Sequence, residues 1–169
     1  MTAPLDARTL FRLLAEEAVD YVVVGGFAVI AHGVVRATKD LDICPSPEPA
    51  NLRRLSDLLR RVEARQAGVG DFTQEEMPYD PTRAEDLGLG GNFRLSTAAG
   101  ELDIMQWIPG IDADHAYATL ASRSIEIELD SVAITVCSLS DLLVMKRAAG
   151  RPQDLQDLAD LAAAHGDGS

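Results

Sequence analysis

At 169 residues the chain can bury one substantial hydrophobic core and is too short for two ordinary ones, so a single domain over 1–169 is expected, with its core at about 6–164. Apolar residues at 47% and charged residues at 25% exclude a disordered polymer. A formal net charge of −12 excludes broad basic attraction to nucleic acid or to an anionic membrane.

In chain order, Leu10, Phe11, Leu13, Leu14 and Val19 recur at helical spacing and predict an amphipathic helix from Asp6 to Ala18. Tyr21 to Val24 is a β-branched run ending at Gly25-Gly26, a buried strand that turns sharply. A helical composition resumes at Phe27 to Ala31, with Gly33 placed to stop it. Leu41 to Ile43 is a second strand, closed by Pro45 and Pro47. Pro49 to Arg65 is a leucine-striped helix whose arginines, Arg53, Arg54, Arg60, Arg61 and Arg65, form a solvated face.

The stretch from Ala67 to Gly91 gathers Gly, Pro and acidic residues and is expected to be an irregular loop, with room for a short element. Asn92 to Ser96 and Glu101 to Trp107 are strands joined by a turn, with Trp107 expected in the core. Asp112 to Ala121 is a helix, and Ile125 to Leu129 pairs with Val132 to Val136 around Asp130-Ser131. Ser138 and Asp141 have capping-box spacing before a helix over Leu139 to Ala149, which Gly150 ends; Pro152 starts the last helix, through Ala164. The architecture implied is α/β (α+β): a mixed, partly antiparallel sheet with helices packed on one face and a cleft at the other.

No apolar run approaches the ~20 residues of a membrane span, and Met1 to Arg8 lacks a signal-peptide pattern, so a cytoplasmic protein without a membrane partner is expected. Cys44 and Cys137 stand alone, outside any C-x-x-C pair, and read as small buried hydrophobes.

The informative segment is Gly25-Gly26, then thirteen residues, then Asp40-Leu41-Asp42-Ile43. Alternate side chains of a strand share a face, so Asp40 and Asp42 project together while Leu41 and Ile43 pack inward. Two such carboxylates repel unless a hard cation with oxygen ligands lies between them, and Mg²⁺ (or Mn²⁺), which takes a few carboxylates together with substrate phosphates, suits the pair. The glycines let backbone approach a ligand, and N–H groups opening the next helix can bind phosphate oxygens, which makes an NTP the expected substrate.

This order of motifs resembles the polymerase-β-type nucleotidyltransferase superfamily, whose signature is a strand, Gly-Gly or Gly-Ser, a helix, and D-x-D or D-x-E on the next strand. More narrowly, G-G-x-A-x-x-x-H-G-x-x-R-x-T-x-D-x-D over Gly25 to Asp42, with the tail from Ser140 to Leu155, is similar to abortive-infection toxins of the AbiEii type. The resemblance implies a nucleotidyltransferase fold and transfer of an NMP to an acceptor hydroxyl with release of pyrophosphate. It implies a third carboxylate at Asp103, completing the metal site or serving as general base, with Glu101 as its rival. It also nominates Lys146 for the phosphates and Asp154 for orienting a basic side chain. The acceptor stays open among tRNA, protein and small molecule, held by the long loop, a homodimer or a partner protein. A toxin-antitoxin role is a further implication of the kinship.

Arg36 suits either a phosphate or a nearby carboxylate, His32 a helix-end packing role, and Thr38 support of the turn into the strand. An alternative is an inactive protein of this fold that binds another protein as an antitoxin would. A dinucleotide-binding oxidoreductase lacks its G-x-G-x-x-G spacing here.

Overall fold

A computed structural model describes residues 3–68 and 74–166. The part of the expected loop at 69–73 lies outside them.

Asp6 caps α1 (Ala7–Glu16) by accepting the Thr9 N–H at 3.1 Å, and the helix buries Leu10, Phe11, Leu13 and Leu14. It ends two residues before the expected Ala18 because Ala18 itself takes a φ of 54°, which turns the chain into β1 (Tyr21–Val24). All four β1 residues are buried, as a central strand of Val and Tyr requires. The glycine pair does not precede the next helix but opens it: α2 spans Gly25–Ala31, and His32 and Gly33 close it.

Strand β2 (Asp40–Pro45) runs farther than Leu41 to Ile43, and Pro45 lies inside it as the terminal residue. Pro49 starts α3 (Pro49–Arg61), which buries Leu52, Leu55, Leu58 and Leu59. This helix stops short of Arg65: Glu63 adopts a φ of 54° and the Ala64 N–H returns to Leu59 O at 2.9 Å, freeing Arg65 and Gln66 to form the short strand β3 (Arg65–Gln66). The long loop contains a 3-10 turn (Gln74–Glu76) and α4 (Ala84–Leu87), anchored by fully buried Leu87.

Strands β4 (Asn92–Thr97) and β5 (Gly100–Met105) follow as an antiparallel pair. Helix α5 (Ala116–Arg123) begins four residues later than Asp112 because the Asp112 side chain accepts the Asp114 N–H at 2.9 Å, a local turn that competes with helix. Asp130 and Ser131, with φ of 50° and 66°, join β6 (Ile125–Leu129) to β7 (Val132–Val136). Both positive φ values match the twist of a two-residue hairpin.

Ser138 caps α6 (Leu139–Ala149) by accepting the Asp141 N–H at 3.1 Å. The Asp141 carboxylate does not return the favour but binds Arg123 of α5 at 2.6 and 3.2 Å. Gly150, at φ 61°, ends that helix, and Pro152 opens α7 (Pro152–His165).

The sheet has seven strands in the order β3-β4-β5-β2-β1-β7-β6. β2 is antiparallel to β1 and parallel to β5, and β7 is parallel to β1, so the sheet is mixed. Leu41 and Ile43 of β2 and Leu102 and Ile104 of β5 are fully buried, forming the apolar side of the sheet centre. Cys44 and Cys137 are buried and free, and burial pushes both thiols up to about 12, which leaves them packing groups. No helix among the described residues is long and apolar enough to cross a membrane.

Candidate active site

The parallel pairing of β2 with β5 sets Asp40 opposite Glu101 and Asp42 opposite Asp103. Alternation then gives Asp40, Asp42 and Asp103 one face, and each offers a carboxylate oxygen within 4.8 Å of the others. Glu101 shares the register but is no member of this group.

Asp103 is buried, and its Oδ1 has no hydrogen-bond partner among the described residues. Burial, followed by the charges of Asp40 and Asp103, pushes Asp42 up to about 8. Burial and then the charge of Asp40 push Asp103 up to about 6. An orphaned buried oxygen and carboxyls that resist ionisation are what a cation-binding donor set shows when the positive charge is missing. The three groups therefore fit a hard divalent cation, with all-oxygen ligands from two adjacent strands.

The glycine pair is shaped by these neighbours. Gly25 sits at φ 70°, and a Cβ there would collide with the Asp42 carboxylate. A Cβ on Gly26 would lie 2.9 Å from Thr38 Oγ1 and 3.1 Å from Arg36 Nη1. Neither position tolerates a side chain without displacing the site, and no side chain caps α2 at this end.

Beside Gly26 a largely buried charge network joins α6 and α7. Lys146 Nζ lies 3.1 Å from Asp154 and 2.8 Å from Asp157. Arg36 reaches both oxygens of Asp157 at 3.0 Å, and Arg151 Nε meets Asp154 at 2.7 Å. Burial alone would raise Asp154, but hydrogen bonds from Arg151 and Lys146 outweigh it and hold the carboxyl at about 2. Both aspartates are fully buried, and the side chains of Lys146, Arg36 and Arg151 pair with them. Arg36 is thus paired with Asp157, and Asp154 binds both Lys146 and Arg151.

Together these residues wall a cavity of about 610 Å³, which Gly25, Gly26, Arg36, Asp40, Asp42, Asp103, Lys146 and Asp154 all line. These eight residues border one hollow, and Glu101, the rival to Asp103, does not. Four contributors were missed. Asp157 follows Asp154 by three residues on one helix face, a spacing that was visible. Arg151 caps α7 beside it, whereas Arg94, opposite Asp103 on β4, and Asn92 reach the cavity only through strand pairing. His32 packs as expected, its Nε2 2.8 Å from Cys137 O. Thr38 supports the turn by donating to Asp40 O at 3.0 Å. Trp107 is a correction: it is 59% exposed, because β5 ends at Met105 and the chain leaves the sheet before the indole can enter the core.

The sheet and its carboxylate-bearing strands have the nucleotidyltransferase fold. A provisionally named nucleotidyltransferase from Thermotoga maritima superposes over 90% of this chain and 88% of its own, with a TM-score of 0.56 at 18% identity. ANT(2″)-Ia in complex with adenylyl-2″-tobramycin covers 95% of this chain and 87% of its own, at 0.57 and 16% identity. The lincomycin-bound lincosamide adenylyltransferase LnuA covers 96% and 99%, at 0.60 and 14% identity. At these identities the likeness is one of fold. No protein-family model matches the chain, and no curated protein matches it in sequence.

Proposed function

We propose that the protein is a divalent-metal-dependent nucleotidyltransferase that moves an NMP from an NTP to an acceptor hydroxyl. The observation that carries this reading is the convergence of Asp40, Asp42 and Asp103 beside a glycine pair that can bear no side chain. Mg²⁺ or Mn²⁺ would be held by Asp40 and Asp42, with Asp103 at its edge; when bound, it neutralises phosphate charge.

The chain's own residues do the rest. The backbone of Gly25 and Gly26 lets the triphosphate approach closely. Lys146, fixed by Asp154 and Asp157, supplies a positioned positive charge, and Arg36 and Arg151 add two more at the rim. The acceptor oxygen attacks the α-phosphorus, the bond from that phosphorus to the bridging oxygen breaks, and pyrophosphate leaves with the electron pair. Asp103, whose carboxyl is pushed up to about 6 by burial and the charge of Asp40, accepts the acceptor proton.

The adenylyltransferases among the structural neighbours make ATP the first nucleotide to try. A toxin-antitoxin role rests on the AbiEii-like sequence pattern, and a cytoplasmic setting on the intracellular supply of NTPs. Incubation with each α-labelled NTP, Mg²⁺ and cell lysate tests the reading. Label should pass to an acceptor with the wild-type chain and fall to background with Asp42→Asn; no labelled product with any NTP would overturn it.

A further inference from the structure

A second cavity, of about 510 Å³, lies where β2 and β5 end. Cys44 lines it two residues beyond Asp42 on β2, and Trp107 lines it two residues beyond Met105, which itself borders the first cavity. Side chains two apart on a strand share a face and stand about 7 Å apart, so Cys44 follows Asp42 along β2, while Trp107 stands just past the end of β5. Asn92 ties the two cavities together. It borders the first cavity while its side chain accepts the N–H groups of Gln106 and Trp107 at 2.9 Å and donates to Trp107 O at 2.8 Å.

The lining has a definite chemistry. The Trp107 indole and the Tyr117 ring provide flat apolar walls, and Glu48 and Asp114 add exposed carboxylates. Gln106 Nε2 is buried without a partner among the described residues, a donor left for a ligand oxygen. No described residue lining the cavity is Lys or Arg. A nucleic-acid end would need such cations for its phosphates. A volume of about 510 Å³ falls within the ~300–1,000 Å³ of small-molecule sites.

We infer that this cavity receives the acceptor, and that the acceptor is a small neutral or cationic hydroxyl compound with an apolar ring face that stacks on Trp107. Its place as an acceptor site rests on the transferase reading above; its ligand class rests on the lining alone. The carboxylates attract a cationic group, Gln106 donates to a hydroxyl or ring oxygen, and the ligand's free hydroxyl points back along β5 toward Asp103.

Trp107 is the chain's single tryptophan, so its emission reports on this cavity. The full chain is titrated with phenyl 2-amino-2-deoxy-β-D-glucopyranoside in its ammonium form and, separately, with an RNA oligonucleotide ending in CCA. A saturable change with the glycoside and none with the RNA is expected, and Glu48→Gln with Asp114→Asn should weaken the glycoside about tenfold. A response to the RNA alone, or to neither probe, overturns the inference. Filter binding of α-labelled ATP with Mg²⁺ is measured in parallel. Loss of nucleotide binding with the glycoside response intact would sink the transferase reading and leave the ligand class standing; nucleotide binding without the glycoside response would do the reverse.

Discussion

Gly25 joins backbone conformation to site geometry, since its φ of 70° disfavours any side chain and a Cβ would overlap the Asp42 carboxylate. Gly25→Ala is therefore expected to cost about 1–3 kcal/mol and to displace Asp42, measured by urea denaturation and by loss of divalent-ion binding. Asp42 itself gives a pH signature. Its folded pKa, about 8, and that of Asp103, about 6, both lie above the ordinary 3.8, so their stabilising contribution without a cation is full below 3.8 and is lost as pH rises through 6 and 8. In EDTA, Asp42→Asn should melt higher than wild type at alkaline pH, with the gap closing toward acid; an unchanged gap would contradict the assignment. Asp40 and Asp42 were legible in sequence as a pair because strand alternation is local. The exposure of Trp107 was not, because a strand's end depends on where its neighbours stop pairing.

Helix α7 contributes more than a closing element, since fully buried Asp154 and Asp157 bind Lys146 of α6, Arg36 before β2 and Arg151 at its own start. Asp157→Ala takes from Arg36 its carboxylate and from Lys146 one of its two, so it should cost about 3–5 kcal/mol in chemical denaturation. Asp160→Ala, about one helical turn farther and bonded to exposed Gln156, should stay within about 0.5 kcal/mol. A cost for Asp157→Ala as small as that would mean the network carries little. Element boundaries followed the sequence where residues state their own termini, as with the Ser138 cap, Gly150 and Pro152 of α6 and α7. They departed where one residue took a left-handed φ, as at Ala18 and Glu63, or where Asp112 turned the chain locally before α5. Nothing in composition distinguishes those positions from a continuing helix.

Across the whole molecule, the site exists because β5 inserts beside β2 rather than beside its own later neighbours, giving the order β3-β4-β5-β2-β1-β7-β6. Single-residue patterns cannot state which strands pair over such separations. The superfamily resemblance supplied the third carboxylate, and the register of Asp42 with Asp103 accounts for it physically. The chain carries a net charge of −12 yet gathers Arg36, Lys146 and Arg151 at one cavity, so positive charge is concentrated locally and is not a property of the surface at large.

The most direct measurement is electron paramagnetic resonance of Mn²⁺ titrated into the protein with a non-hydrolysable ATP analogue. Wild type should take up Mn²⁺ saturably, and Asp40→Asn with Asp42→Asn should not, while keeping its fold by circular dichroism. Equal uptake by the double variant, or none by the wild type, would show that these carboxylates do not form a metal centre.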